Sequence, residues 1–380
     1  MKIIVDGRPL TKRATGVAMF TIDAIRAIST YLPQWKITVV MPRPLHPTVE
    51  GLPLDKIQIV VSPFLSTKLP GTVWCLFKLP ILAKRYGADI LWAPNKLLPI
   101  YHWGHYKTLI IIHDVVWKEF KNTTSRKWAT SMINPFFNHS VKNADYIWCN
   151  SKYTLMKTNQ YFPHRKQMNV VIGGSCNSRF RPINLSYKRK NEILNLYGIN
   201  NGYLLFVGSL EPRKNLGFLL KLMPEVFERT GYQLLVVGAR GWKDSEIFSI
   251  VNADSYPTNI VKFADYVSND LLVELYNAAV CYISTALNEG LGLPQLEAMS
   301  CGCPVISPHN SAMIEVVEGR GVTIKDWNEQ EWIGTICKVV SDSVLLDGMR
   351  HSDLTEYDWE NIIHRVDNYI KDSTGKSAIF

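Results

Sequence analysis

Two adjacent cations follow a short apolar run in the second half of the chain, where they could bind an anion. The run Leu204–Val207 leads through Gly208–Pro212 to Arg213 and Lys214. Ligands bind at the strand ends of doubly wound sheets, and an arginine beside a lysine at such a place can neutralise a diphosphate. The segment therefore predicts a phosphate-binding site, although two adjacent cations are also common on a solvated surface.

A second segment places two glutamates around a turn that contains glycines. Glu289 directly precedes Gly290–Leu293, and Glu297 lies in the helix predicted to follow the turn. Glycines allow backbone N–H groups to approach a ligand, and the start of a helix favours negative charge. Pro294 suits a first helical turn. The two carboxylates could therefore contact different parts of one ligand; the alternative is a capped core helix with two exposed carboxylates.

Polar residues also follow predicted strands in the first half of the chain. His113 and Asp114 end one apolar run, and Asn150 and Ser151 end another. Side chains at such positions are candidates for a ligand site, because ligands of parallel sheets bind at the carboxyl ends of the strands. An ordinary capping role for the histidine is the alternative.

These segments require a framework of alternating strands and helices. Short runs rich in β-branched residues alternate with helix-like stretches, which predicts parallel sheets covered on both faces. The predicted strands are 3–5, 37–40, 57–61, 90–92, 108–112, 146–149, 169–172, 203–207, 233–237, 260–263, 280–283, 304–306 and 321–323. The predicted helices are 215–229, 270–278, 293–301, 329–341 and 359–370.

A length of 380 residues predicts two domains. We expect them at 1–180 and 181–358, joined by a polar, basic linker over 177–190, with the terminal helix packing back onto the first. Two doubly wound domains in series would place their ligand sites around a shared cleft.

The net charge of +9 is distributed unevenly. Residues 1–180 hold 24 Lys+Arg against 8 Asp+Glu, a net +16, and residues 181–380 hold 18 against 25, a net −7. A basic half can attract anionic lipid, phosphorylated substrates or nucleic acid, or it is a solvated surface with no partner. The segment 64–85 has the composition of an interfacial segment or, alternatively, of a core helix with a basic outer face. Its aromatic and basic residues are Phe64, Trp74, Phe77, Lys68, Lys78, Lys84 and Arg85.

Several classes of site lack support in the sequence. No apolar run approaches the ~20 residues that span a bilayer, and the first residues do not form a signal peptide. Seven scattered cysteines are typical of a reducing cytosol, and Cys301 with Cys303 lacks the partners of a zinc site. No Asp-x-Asp motif suggests a hard cation bound with a diphosphate. A dinucleotide fingerprint and a nucleic-acid-binding module are also absent from the sequence.

Together, the two charged segments resemble the retaining glycosyltransferases of family 4. The resemblance rests on Gly208–Leu216, on Glu289 and Glu297 within Glu-Gly-Leu-Gly-Leu-Pro-Gln-Leu-Glu-Ala-Met, and on Cys301–Ile306. In the first half, Asp6-Gly7-Arg8 with Gly16-Val17 resembles the family's first strand and acceptor-side glycine loop, and His113 resembles its active-site histidine. The resemblance implies an α/β GT-B fold, in which two Rossmann-like, doubly wound domains face a central cleft.

The resemblance also implies roles for the residues of the site. Arg213 and Lys214 would bind the donor diphosphate and stabilise the leaving nucleotide, and His113 would lie near the donor sugar. Glu289 would contact sugar hydroxyls, and Glu297 the ribose. The remaining residues implied at the donor are Gly208, Ser209, Gly290, Leu291, Gly292 and Leu293, and those on the acceptor side are Gly16 and Val17.

The implied reaction is a metal-independent transfer that retains the anomeric configuration by front-face attack. The sequence of the 208–215 segment resembles that of bacterial mannosyltransferases, so we expect GDP-mannose as co-substrate. We expect no further cofactor and no nucleic-acid partner. The acceptor would be a saccharide or a lipid-linked saccharide of an O-antigen-like surface polysaccharide. We expect the protein in the cytoplasm, bound peripherally to the anionic inner face of the membrane. A sugar-nucleotide epimerase or a phosphorylase of the same fold is the nearest alternative. An NAD-dependent oxidoreductase and a nucleic-acid-binding protein are more distant ones.

Overall fold

The computed structural model describes residues 1–13, 15–64, 71–101, 104–115, 127–165, 170–241 and 244–372, and for 127–134 and 170–172 it describes the backbone alone. The chain divides into two compact units. The first consists of Met1–Asn177 and Thr355–Phe380, and the second of Ser178–Leu354. Each unit contains its own parallel sheet.

Within the described residues, the sheet of the first unit has seven strands in the order β3-β2-β1-β4-β5-β6-β7. The strands are β1 Lys2–Asp6, β2 Lys36–Met41, β3 Ile57–Val61, β4 Ile90–Ala93, β5 Lys107–Ile112, β6 Tyr146–Cys149 and β7 Val170–Ile172. The helices described in this unit are Gly16–Tyr31, Gly71–Phe77, Leu79–Arg85, Lys127–Asn143, Lys152–Tyr161 and Trp359–Asp372. Ile3 and Val5 of β1 pack into one core, and Ile4 into another. Both faces of the sheet are therefore covered, as its continuous apolar strands predict.

The helix Trp359–Asp372 follows the second unit in the sequence but packs in the first. Ile362, Ile363 and Val366 are buried in the same core as side chains of helix Gly16–Tyr31. The Trp359 indole N–H donates to the carbonyl oxygen of Cys176 at 2.9 Å. Burying an aliphatic side chain of this size contributes about 1.5–3 kcal/mol, so the helix is part of the core of the first unit.

Within the described residues, the sheet of the second unit has six strands in the order β10-β9-β8-β11-β12-β13. The strands are β8 Tyr203–Val207, β9 Gln233–Val237, β10 Val261–Ala264, β11 Cys281–Ile283, β12 Val305–Pro308 and β13 Val322–Ile324. The helices described in this unit are Tyr187–Tyr197, Leu216–Thr230, Ser245–Val251, Asn269–Ala278, Leu293–Ser300, Ser311–Val317, Glu329–Ser341 and Ser343–Arg350. Leu204 and Phe206 of β8 pack with Met223 and Trp332 from two of these helices.

The strand order reverses once in each sheet. In the first unit the reversal lies between β1 and β4, and in the second unit it lies between β8 and β11. In doubly wound sheets the crevice at the carboxyl ends of the strands on either side of such a reversal is where ligands bind. The loops that follow β1, β4, β8 and β11 are therefore the positions to search for a site.

The predicted α/β architecture with two doubly wound parallel sheets is confirmed. Predicted strands 57–61, 146–149, 203–207 and 233–237 have the observed bounds, and the others differ by one or two residues at an end. Helix Tyr187–Tyr197 begins within the linker predicted over 177–190. The Ser186 hydroxyl caps this helix by accepting from the Arg189 amide at 3.1 Å. Lys188, Arg189 and Lys190 are exposed in the first turn of this helix, which buries Ile193.

The segment 64–85 is mainly a core element in its described part, with residues 65–70, and so Lys68, outside the described residues. Trp74 and Cys75 are buried, and the Trp74 indole N–H donates to the carbonyl oxygen of Ser62 at 2.8 Å. The expectation that Trp74 faces an interface is therefore wrong. The side chains that stay exposed in helices 71–77 and 79–85 include Phe77, Ile81, Lys84 and Arg85. No helix among the described residues combines the length and the apolar composition needed to cross a bilayer.

Candidate functional site

The loop after β8 holds Arg213 and Lys214 in a tight turn. Pro212–Lys214 forms one turn of 3-10 helix, and Asn215 follows in the left-handed region at φ 52°. Asparagine tolerates this conformation better than most residues. The turn begins close to β9, where a side chain at Gly238 would place its Cβ 1.9 Å from the carbonyl oxygen of Gly208. A glycine at 238 therefore allows the two strand ends to approach.

The loop after β11 fixes the backbone of the two cations. The Leu287 amide donates to the carbonyl oxygen of Arg213 at 2.9 Å. The buried Thr285 hydroxyl lies 3.1 Å from the carbonyl oxygens of both Lys214 and Asn215. The two loops on either side of the strand reversal are thus joined by hydrogen bonds, which sets the direction in which the cations leave the backbone.

Glu289 forms ion pairs with both cations. Its Oε2 lies 3.1 Å from Nη1 of Arg213, and its Oε1 accepts from Nζ of Lys214. Arg213 Nη1 also donates to the carbonyl oxygen of Asn288 at 2.5 Å. The Glu289 amide donates to the Ser311 hydroxyl at 3.0 Å. Two adjacent cations and a glutamate 75 positions after the second of them therefore form one charged cluster.

The cluster keeps Glu289 ionised although its side chain is buried. Burial alone would raise the pKa of Glu289, but the charges of Lys214 and Arg213 outweigh it, and the net direction is downward. A buried carboxylate is stable in this form only when it is paired. The triad carries one net positive charge at neutral pH, which suits an anionic ligand.

The helix Leu293–Ser300 begins beside this triad. Gly292 precedes it in the left-handed region at φ 87°, and the Pro294 ring occupies its first turn. Gln295 is fully buried and donates from Nε2 to the Ser284 hydroxyl at 3.0 Å, which anchors the helix to the end of β11. The sequence analysis missed Gln295, because a polar residue within a short helix gives no signal of its partner.

Glu297 lies on the same helix, one turn further on. Its Oε2 accepts from the Tyr276 hydroxyl at 3.1 Å, and Tyr276 itself is fully buried. Burial and the neighbouring Glu297 raise the pKa of Tyr276, so the phenol remains a donor. The sequence analysis missed this tyrosine, since it fits the apolar pattern of helix Asn269–Ala278.

His113 is uncharged at neutral pH. Burial is the main cause that lowers its pKa to about 4, and the charge of Lys96 acts in the same direction. Its Nε2 lies 3.2 Å from the carbonyl oxygen of Pro94, and its ring meets Phe20 edge to face at 5.1 Å. A carbonyl oxygen only accepts, so Nε2 carries the proton and Nδ1 is the acceptor of the neutral ring.

A lysine that the sequence analysis did not single out lies next to this histidine. Lys96 follows β4 with a backbone φ of 63°, which is unusual for a residue with a side chain. Its Nζ donates to the carboxylate and to the carbonyl oxygen of Asp114, both at 3.1 Å. The loops after β4 and β5 are therefore held together around His113 by charge.

The two residues predicted on the acceptor side lie at the start of helix Gly16–Tyr31. Gly16 is the exposed first residue of helix Gly16–Tyr31, and the Val17 carbonyl accepts from the Thr21 hydroxyl. Arg8, in the loop before them, is buried. Its Nε and Nη2 donate to the carboxylate of Asp6 at 2.6–2.9 Å, and its Nη1 donates to the carbonyl oxygen of Gly71. This arginine joins the end of β1 to the following elements.

Two further predicted positions are buried after β6. Ser151 accepts from the Thr154 amide at 3.0 Å and caps helix Lys152–Tyr161. Asn150 is buried beside it, and its Oδ1 has no hydrogen-bond partner within the described part of the protein. A search of the described residues finds no group of three or more His, Cys, Asp and Glu side chains able to hold a metal ion.

The structure thus brings together some of the predicted residues and separates others. Arg213, Lys214 and Glu289 form one cluster, with Gly208 beside Lys214 and with Gly292 and Glu297 on the adjoining helix. Ser209, Gly290 and Leu291 belong to the same two loops, and Leu293 is the first residue of helix Leu293–Ser300. His113, Gly16 and Val17 belong to the first unit.

The cluster lies in a recognised domain. Residues 201–342 match the family model described as glycosyl transferases group 1. The chain is 32% identical over 180 residues to O-antigen chain mannosyltransferase B of Escherichia coli. The aligned region covers 45% of this chain and 46% of that protein. The chain therefore spans about half the length of this curated relative.

The fold is shared with solved structures along nearly the whole chain. Sucrose-phosphate synthase from Thermosynechococcus elongatus aligns with a TM-score of 0.75 over 98% of both chains, at 17% identity. HepE of Anabaena in complex with UDP-glucose aligns with a TM-score of 0.70 over 98% of this chain and 99% of that one, at 17% identity. The predicted GT-B fold is confirmed.

The environment of His113 predicts a pH-dependent stability. The unfolded chain protonates this histidine near pH 6.5, whereas the folded protein does so near pH 4, so the unfolded state binds more protons between these values. The contribution of neutral His113 to the free energy of unfolding is therefore complete above pH 6.5 and is lost as the pH falls toward 4. Between pH 7 and pH 5 the wild type should lose on the order of 1–2 kcal/mol more unfolding free energy than His113→Gln, measured by urea denaturation.

The control is His364→Gln. His364 is half exposed on helix Trp359–Asp372. This variant should keep the pH dependence of the wild type. A pH dependence in His113→Gln as steep as that of the wild type would show that His113 is not held neutral by its surroundings.

Proposed function

We propose that this protein is a glycosyltransferase with a nucleotide-sugar donor, because residues 201–342 match the family model of group 1 glycosyl transferases. The observation that carries the proposal is the pairing of Arg213 and Lys214 with Glu289 at the strand reversal between β8 and β11. Diphosphate oxygens accept hydrogen bonds from cations, and sugar hydroxyls donate to a carboxylate. A sugar diphosphate satisfies both halves of this cluster.

The proposed reaction retains the anomeric configuration. The bond between C1 of the sugar and the diphosphate oxygen breaks, and the acceptor hydroxyl oxygen bonds to C1 on the same face. The proton of that hydroxyl passes to the departing phosphate, so no protein nucleophile is required. Arg213 and Lys214 stabilise the charge that grows on the leaving group, which is often the largest catalytic contribution. His113, being neutral, hydrogen-bonds a sugar hydroxyl without adding charge.

The other predicted residues have supporting roles in this proposal. Glu289 binds hydroxyls of the transferred sugar, and Glu297, oriented by Tyr276, accepts from the ribose. Backbone groups of Gly208, Ser209 and Gly290–Leu293 surround the phosphates and the sugar. Gly16 and Val17, at an exposed helix start, contact the acceptor.

The proposed donor is GDP-mannose, and the proposed acceptor is a saccharide or lipid-linked saccharide of an O-antigen-like surface polysaccharide. The name of the Escherichia coli relative, an O-antigen chain mannosyltransferase, supports this choice. The UDP-glucose complex of HepE makes a uridine donor the first competitor. We place the reaction in the cytoplasm, at the inner face of the membrane.

Removal of either cation should slow transfer. Arg213→Ala or Lys214→Ala should lower turnover ~10²-fold or more, because each removes stabilisation of the leaving diphosphate. Turnover is measured with the donor that gives the largest thermal shift among GDP-, UDP-, ADP- and dTDP-sugars. Lys221→Ala is the control, since Lys221 is exposed on the helix that follows the turn. Wild-type turnover in both site variants would refute the assignment.

Transfer should survive chelation of metal ions. The cationic pair faces the proposed diphosphate position, and the sequence contains no Asp-x-Asp motif to hold a divalent cation beside it. Turnover in excess EDTA should equal turnover in untreated buffer. Loss of activity in EDTA that Mg²⁺ or Mn²⁺ restores would contradict the proposal.

A surface of the first unit supports peripheral binding to an anionic membrane. Phe77 is 57% exposed and Ile81 38% exposed, and the exposed Lys84 and Arg85 follow on the next turn of the segment. Exposed apolar side chains beside cations are the composition of an interfacial surface. Each cation near an anionic surface contributes about 1 kcal/mol within a Debye length.

Binding to liposomes should therefore depend on charge. Sedimentation with vesicles should require anionic lipid, weaken with salt, and drop when Lys78, Lys84 and Arg85 are changed to Glu. The control is Lys12→Glu with Lys152→Glu. These lysines follow the carboxyl ends of β1 and β6, whereas Lys84 and Arg85 lead into the amino end of β4. Equal binding to neutral and anionic vesicles would leave the basic first half without a membrane role.

A further inference from the structure

We propose that Glu289 is a resident counter-ion that weakens the binding of the nucleoside diphosphate product relative to the nucleotide-sugar donor. This inference rests on the proposed function and concerns the same cluster. It assigns to one carboxylate a part in product release as well as in sugar binding.

The Glu289 carboxylate pairs with both cations at the same time. One oxygen of Glu289 pairs with Arg213 and the other with Lys214. The Ser311 hydroxyl accepts from the Glu289 amide, and the Glu289 carbonyl accepts from the Ala312 amide, so the backbone of the residue is fixed. The side chain therefore stays beside the cations unless a ligand offers it other partners.

The charge of the cluster then decides how strongly it attracts an anion. With Glu289 ionised, the triad has one net positive charge; without it, the same place would have two. A free nucleoside diphosphate has a terminal phosphate with one more ionisable oxygen than the donor, in which that oxygen is esterified by the sugar. The repulsion from Glu289 therefore acts more strongly on the product than on the donor.

The sugar changes this balance for the donor alone. Its hydroxyls donate hydrogen bonds to a carboxylate, and a charged acceptor makes such bonds strong. When the donor binds, its diphosphate competes with Glu289 for the two cations. The hydroxyls of the donor sugar then replace the hydrogen bonds that the carboxylate has lost. Once the sugar has been transferred, these bonds are lost, and the carboxylate again competes for Arg213 and Lys214. Release of the product is favoured as a consequence.

Calorimetric titration of the purified protein tests this. The dissociation constants of GDP and GDP-mannose, and of UDP and UDP-glucose, are measured for the wild type and for Glu289→Gln. The variant should bind the free diphosphate at least about tenfold more tightly, as loss of one nearby charge predicts. It should bind the matching donor no more tightly than the wild type. The preference for donor over product should therefore fall by at least about tenfold.

Glu297→Gln is the matched control. It removes the same charge from the adjoining helix, where the carboxylate accepts from Tyr276, and the ribose that it is proposed to bind is present in both ligands. Its affinities for donor and product should change by the same factor. An unchanged preference in Glu289→Gln, or an equal loss of preference in Glu297→Gln, would overturn the inference.

A measurement on the wild type avoids dependence on the variant's stability. Millimolar mannose, glucose or galactose should increase the affinity for the free diphosphate if a sugar draws Glu289 away from the cations, because coupling between two ligands is reciprocal. No increase with any of the three hexoses would overturn the inference. Failure of the wild type to bind any of the four nucleotides would instead overturn the proposed function, and this inference with it.

Discussion

Two neighbouring cations in a tight turn cannot be partly buried without a counter-charge. Arg213 and Lys214 meet this constraint through Glu289, which belongs to a different loop 75 residues later in the chain. The consequence reaches beyond the three side chains. To bring Glu289 to the cations, the loop after β11 must lie against the turn after β8, and the Thr285 and Leu287 hydrogen bonds hold it there.

The same principle organises the first unit. Asp6 and Arg8 are buried together at the end of β1, and Lys96 with Asp114 joins the loops after β4 and β5. The Lys96–Asp114 pair connects loops that follow adjacent strands, because a parallel sheet places their carboxyl ends side by side. His113 lies next to the Lys96–Asp114 pair and remains neutral beside Lys96. Both units therefore combine apolar strands with charged loops at one edge of the sheet.

The framework could be predicted from the sequence because buried parallel strands consist of continuous apolar runs. The run Tyr203–Val207 was predicted with its observed bounds, as was Gln233–Val237. Arg213, Lys214 and Glu289 could be selected because they follow such runs in the sequence. Short helices were harder: Ser311–Val317 spans seven residues and gives too few turns for a periodic pattern.

Contacts between distant residues could not be predicted in the same way. Tyr276 orients Glu297, and Gln295 anchors its helix to Ser284, but each fits the local pattern of its own helix and gives no sign of its partner. The error over Trp74 has a similar origin. A segment that mixes aromatic residues with lysines has the same composition whether its aromatic side chains face lipid or the protein core. Only the path of the surrounding chain determines that Trp74 is buried. Site residues were predictable where the backbone pattern marks them, and not where only tertiary contacts do.

The return of helix Trp359–Asp372 to the first unit has a consequence for synthesis of the protein. A ribosome delivers Ile362, Ile363 and Val366 only after all of Ser178–Leu354 has been made. The second unit is continuous in sequence and can complete its core as it emerges, whereas the first unit must wait with part of one face uncovered. The part of the protein made first is thus the part completed last, and its apolar surface is open to chaperones throughout that interval.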